Sequence, residues 1–164
     1  MKYYNSMVVF EEIPDEITLA INITNCPCRC HGCHSRFLWD DVGTELTFDE
    51  LDSMIDRNMG ITCICFMGGD SEPSYINDMA GHVRSRYDTL KVAWYSGKER
   101  ISDEIDLRNF DYVKVGPYVE QFGGLDKDTT NQRMFEIVHG EGGDTSKRDI
   151  TDRFWLRNKK RAVS

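Results

Sequence analysis

Four thiols crowd one eight-residue stretch of this chain: Cys26, Cys28, Cys30 and Cys33, within Cys26-Pro27-Cys28-Arg29-Cys30-His31-Gly32-Cys33. Cysteine thiolates are the usual ligands of iron–sulfur clusters, and a short loop can wrap three of them round one cubane. The ligand count decides the chemistry. Four protein ligands would close an electron-transfer cluster or a tetrahedral zinc site. If Cys26, Cys30 and Cys33 are the ligands, one iron stays open and Cys28 is an extra thiol. Zinc sites usually draw paired ligands from separated parts of a chain, and no second Cys-x-x-Cys or His pair follows downstream. The other two cysteines, Cys63 and Cys65, stand in an apolar run, where Cys behaves as a small buried hydrophobe.

The elements that must position this loop are legible from periodicity. Segments 7–10 and 17–23 are strand-like, and the second alternates Ile17, Leu19, Ile21 and Ile23 against polar or small residues up to the cysteine run. Thr47-Phe48-Asp49-Glu50 is a capping box, so a helix is predicted from Thr47, with Leu51, Met54 and Ile55 on one face and Gly60 beyond its end. Segment 61–67 is a near-continuous apolar run, the pattern of a strand buried on both faces. Further strands are predicted at 90–95, 112–115 and 134–138, with helices at 74–87 and 101–107.

Strand and helix thus alternate, which implies an α/β fold with βαβ units and a parallel sheet. Ligands gather at the carboxyl ends of such strands. The cysteine run, Gly68-Gly69-Asp70, Ser96-Gly97 and Gly116-Pro117 each follow a predicted strand, so all four loops should share one rim.

At these residues the chain resembles the radical S-adenosylmethionine (SAM) superfamily. Three cysteines with gaps of three and two residues follow an early strand, and Met67-Gly68-Gly69-Asp70 stands where that superfamily has a Gly-Gly-acid motif. Gly32, where many members have an aromatic residue, and the Asp of Gly-Gly-Asp resemble the activating enzymes of anaerobic ribonucleoside-triphosphate reductase. So do Cys33-His34-Ser35-Arg36 with Trp39 beyond, Asp111 to Tyr118 with its Gly116-Pro117-Tyr118, and Thr130-Asn131-Gln132-Arg133. Ile150-Thr151-Asp152-Arg153-Phe154-Trp155 is a looser match.

The resemblance implies a partial (βα) barrel of mostly parallel strands, with the cluster at the C-terminal ends of the strands. It implies that Cys26, Cys30 and Cys33 hold a [4Fe–4S] cluster whose fourth iron is chelated by SAM, and that reductive cleavage of SAM yields a 5′-deoxyadenosyl radical. Gly68 and Gly69 would admit the methionine end of SAM, and Asp70 would hold its ammonium. Gly32 and His34 would line the adenine, and Ser96 and Gly116 would meet the ribose and adenine. His31 and His34 are expected beside the ligands rather than among them, and His82 and His139 are expected to be structural or exposed. The implied protein substrate is the large anaerobic ribonucleotide reductase, activated as a glycyl radical, with a reducing electron donor as second partner. The polar stretch 120–131 is a candidate docking loop.

Composition narrows the alternatives. With 164 residues and no linker or repeat, one domain over 1–164 is expected, with a charged C-terminal tail from about 144. A net charge of −8 argues against a nucleic-acid surface, the basic run at 157–161 being a local exception read as a solvated end. No segment reads as a membrane span or a signal core, so a cytoplasmic protein is expected. Two other functions stay open: a radical SAM enzyme with another substrate, and a non-enzymatic zinc or iron–sulfur binding module.

Overall fold

Alternate residues of four apolar strands point to opposite faces of one sheet, and that division positions everything else. The computed structural model describes residues 1–161, with side chains through 156; the side chains of the basic run at 157–161 lie outside the described residues. The strands are β1 (Lys2–Val9), β2 (Thr18–Ile23), β3 (Thr44–Glu45), β4 (Cys63–Met67), β5 (Lys91–Tyr95), β6 (Tyr112–Val115), β7 (Arg133–His139) and β8 (Thr145–Asp149). The helices are α1 (Phe48–Arg57), α2 (Pro73–Arg86) and α3 (Asp152–Arg161).

One face of the sheet carries Leu19, Ile21 and Ile23 of β2, Ile64 and Phe66 of β4, Val92 and Trp94 of β5, and Val113 and Val115 of β6. These pack against Leu51, Met54 and Ile55 of α1 and Ile76, Met79, Ala80 and Val83 of α2. The opposite face carries Cys63, Cys65, Ala93 and Tyr112, in a second cluster with Ile13, Met134 and Ile150. Core packing of Cys63 and Cys65 is therefore observed, and burial pushes both thiols well above the usual range.

The expected partial (βα) barrel of mostly parallel strands does not form. The eight strands make one mixed sheet in the order β3-β1-β2-β4-β5-β6-β7-β8. Only β2·β4, β4·β5 and β5·β6 pair in parallel, whereas β1·β2, β1·β3, β6·β7 and β7·β8 are antiparallel. The physical reason lies in the connections, since a parallel neighbour needs a long crossover and an antiparallel one needs only a turn. α1 and α2 supply two crossovers. The helix predicted at 101–107 is absent, because Ser102 and Asp106 side chains bond nearby backbone N–H groups and leave only a 3₁₀ turn, Leu107–Asn109. After β6 no helix intervenes, and the chain returns antiparallel.

Two more elements escape the periodicity. β8 lies in the expected tail and is an edge strand with Lys147, Arg148 and Asp149, the charged kind of edge that discourages further pairing. α3 follows it and lays Phe154 against the second cluster. At α1 half of the capping box forms: the Thr47 hydroxyl accepts from the Glu50 N–H at 3.2 Å, while the Glu50 carboxylate accepts from the Tyr3 hydroxyl and Arg57 instead. Among the described residues no helix is long and apolar enough to cross a membrane.

Burial of two thiols and partial exposure of four gives a direct check. In folded, metal-free protein an aromatic disulfide reagent should titrate Cys26, Cys28, Cys30 and Cys33, and reach Cys63 and Cys65 only after denaturation. Reaction of all six at one rate in the folded protein would contradict the arrangement of the second face.

Candidate metal and cofactor site

Because β2, β4, β5 and β6 run the same way, their C-terminal ends lie on one edge of the sheet. Asn22, Met67, Tyr95 and Lys114 are in register across that end and share the second face. They form the floor of a cleft with about 710 Å³ of space, part of it open to solvent. The cysteine loop stands over one side, with Cys26, Cys28, Cys30 and Cys33 all on the wall, and Gly68, Asp70, Ser96 and Gly97 stand on the other. Three of the four loops predicted to share a rim line this cleft, and from the turn after β6 only Tyr118 reaches it.

The loop is held by its ends rather than by regular structure. The Asn25 N–H donates to the Asp40 carbonyl and the Cys26 N–H to the Leu38 carbonyl, which fastens the start of the loop to the segment that follows it. Asn25, Arg29 and Gly32 adopt left-handed conformations, and the turns let the thiols recur on one side. The Ser35 N–H donates to Cys33 Sγ at 3.4 Å. The Cys26 and Cys28 side chains interact with each other. That interaction, with the Cys28 and Arg29 N–H groups, pulls Cys26 down to about 6, and it pushes Cys28 up.

Asp70 is the anchor opposite. Its Oδ1 accepts from the Ser96 hydroxyl at 2.5 Å, and its Oδ2 accepts from the Gly97 N–H at 2.8 Å and the Cys28 thiol at 3.7 Å. A carboxylate offers about four acceptor sites, so capacity remains for a further donor from the cleft. Cys28 fills the space beside Gly97, where a Cβ would sit 2.7 Å from its sulfur. Among the described residues no three His, Cys, Asp or Glu groups are gathered closely enough to hold a metal ion as they stand.

The structure separates the expected site residues into two groups. Cys26, Cys30, Cys33, Gly68, Asp70 and Ser96 line the cleft; Gly32, His34, Gly69 and Gly116 stand behind its walls. Gly32 backs onto the Glu120 side chain, and His34 meets the edge of the Tyr118 ring, which itself lines the cleft. A Cβ on Gly116, at φ +104°, would meet Gln132 Cα at 3.0 Å. Asn131 Nδ2 in turn donates to the Pro117 carbonyl, so segment 130–133 braces the turn after β6. His31 is exposed and 3.4 Å from Glu120, and His82 and His139 face Asp52 and Asp111. None of the three lines the cleft.

Residues that sequence reasoning passed over include Asn22, Met67, Tyr95, Gln132 and Lys114. The signal was present at Lys114, a charged residue inside the apolar strand Tyr112–Val115. It is buried, and burial pushes its ammonium down to about 8 against the opposing pull of Asp70 and the thiols.

Gly69 separates a structural from a binding role. Its φ is +91°, and a Cβ there would lie 2.5 Å from Cδ1 of Ile76, which is fully buried in α2. Gly69→Ala should lower stability to denaturant by about 2 kcal/mol or more, measured by equilibrium unfolding. An unchanged unfolding midpoint would mean that Gly69 is needed only for what enters the cleft.

No model of a known protein family, no curated protein and no solved structure matches the chain, so what the site does rests on its own residues.

Proposed function

We propose that the chain binds a [4Fe–4S] cluster on Cys26, Cys30 and Cys33 and SAM in the cleft beside it. On this reading it is an activase that generates a glycyl radical on a large anaerobic ribonucleotide reductase. One observation carries the reading: three thiols with the expected spacing open on the same cleft as Gly68, Asp70 and Ser96, which arrive from two other strands. The donor set fits the group. Thiolates suit iron–sulfur ligation, and Cys26, Cys30 and Cys33 all line the cleft.

A cluster with SAM at its open iron supplies reductive cleavage of the sulfonium. The chain's own residues bind, orient and keep out water. Asp70, fixed by Ser96 and Gly97, presents a carboxylate in a set position to the ammonium of an amino-acid ligand. The Gly68 carbonyl is committed to Trp94 Nε1 at 2.7 Å, which fixes the turn that carries Asp70. Leu38, Trp39, Met67 and Tyr95 give the cleft an apolar lining that limits water around a reactive species. The loop at 119–131 borders the cysteine loop through Glu120 and His31 and is closed on itself by the Thr129 hydroxyl on the Phe122 carbonyl. It is the surface on which a large protein substrate would dock.

A second reading has one observation in its favour: Cys28 lines the same cleft, so four thiols could close round a single zinc. Metal analysis separates the two, with about four irons and four sulfides per chain expected, against one zinc.

The decisive experiment is anaerobic reconstitution with iron and sulfide, addition of SAM and a strong reductant, and assay for 5′-deoxyadenosine. The parent chain should form it and Cys30→Ala should not. A fully loaded chain that leaves SAM intact would overturn the enzymatic reading, and bound zinc in place of iron would favour the structural module.

Cys28→Ala tests the ligand register separately. On this reading it should retain iron, sulfide and SAM cleavage, because Cys28 is the thiol outside the ligand set. Loss of the cluster in Cys28→Ala, equal to that in Cys30→Ala, would assign Cys28 a metal bond.

A further inference from the structure

Lys114 is the one cation among the described residues that line the cleft. It sits in β6 between Val113 and Val115, on the opposite face from both, and is 7% exposed. Its ammonium is fixed, donating to the Gly116 carbonyl at 2.6 Å and the Ser96 carbonyl at 3.3 Å, which are the strand ends of β6 and β5. Packing does not explain the charge. A methionine of similar length would fill the same space without the cost of burying an ammonium. The groups that favour the charged form are, in order, Asp70, Cys30, Cys28 and Cys26, and the Asp70 carboxylate offsets most of what is recovered of that cost. Two of those four are proposed cluster ligands.

Resting on the cluster reading above, we propose that Lys114 is a fixed positive charge that eases reduction of a cluster held by Cys26, Cys30 and Cys33. Three thiolates and an added electron leave the reduced form more negative than the oxidised one by one charge. A buried cation nearby favours the reduced form, and charge and hydrogen bonding around a cluster are established levers on its potential. The geometry suits this role better than contact with a mobile ligand. Two backbone carbonyls hold Nζ in place, and the apolar lining keeps the charge poorly screened.

The test compares the parent chain with Lys114→Gln, Lys114→Met and Lys114→Arg after anaerobic reconstitution, in the absence of SAM. Iron, sulfide and thermal unfolding are measured first. The reduced cluster is then quantified by electron paramagnetic resonance at fixed ambient potentials set with a low-potential dye. At the potential where the parent is half reduced, the neutral variants should show a reduced-to-oxidised ratio about tenfold lower, and Lys114→Arg should stay near the parent. Gln can still donate to a carbonyl and Met keeps the apolar stem, so one neutral variant serves if the other does not fold. Neutral variants that load fully and titrate with the parent would overturn the proposal while leaving the cluster reading intact. A lower melting temperature with an unchanged titration would make Lys114 purely structural. A parent chain that takes up no iron and sulfide would overturn both together.

Discussion

Asn22 pairs with Met67, Met67 with Tyr95, and Tyr95 with Lys114, and this row fixes the floor of the cleft. Parallel pairing sets the register, and the pleat sets the face, so neither can change alone. A slip of one residue in β4 would turn Phe66 into the cleft and Met67 into the helix-covered core. Apolar burial on the first face therefore holds the polar arrangement on the second. The same register brings the turn after β4 beside the end of β5, where Asp70 meets Ser96 and Gly97. The cleft is thus a by-product of how the core packs, and its geometry is as firm as the core.

Much of that central frame was legible in the sequence. The near-continuous apolar runs marked β4, β5 and β6, and Thr47 marked the start of α1 within a residue, because burial on both faces and a capping hydroxyl leave local signatures. The outer parts did not read so well. β8 carries Lys147, Arg148 and Asp149 because an edge strand faces water, so its composition resembles that of a solvated tail. The antiparallel flanks, β1 with β3 and β7 with β8, follow from short connections and long-range pairing, which periodicity within one segment cannot report. Alternation of predicted elements suggested a parallel sheet, and the resemblance a barrel; the antiparallel return of β7 and the antiparallel β1 gave a mixed sheet instead.

The glycines show where motif and geometry part. Gly68 is on the cleft wall, whereas Gly69 and Gly116 are small because Ile76 and Gln132 pack against them from behind. A spacing pattern identifies that a side chain is forbidden, not which neighbour forbids it. The opposite holds for Lys114, whose type was informative and whose position inside an apolar strand concealed it. Cys28 lies between these cases: its chemistry was plain, and its place against Asp70 and Gly97 is something only the folded loop reveals.

The four thiols lie within eight residues of one another, while the other walls of the cleft come from segments as far apart as Asn22 and Gln132. The two halves of the site therefore have different histories in an emerging chain. The thiols are neighbours before any sheet exists, so soft metal ions meet a concentrated set of donors even on an unfolded chain. The carboxylate, the hydroxyl and the ammonium converge only after three parallel strands have paired across long separations, a slow class of event. Any soft ion that met the emerging chain would thus face the loop's four sulfurs alone, and the rest of the site could take part in the choice only after folding.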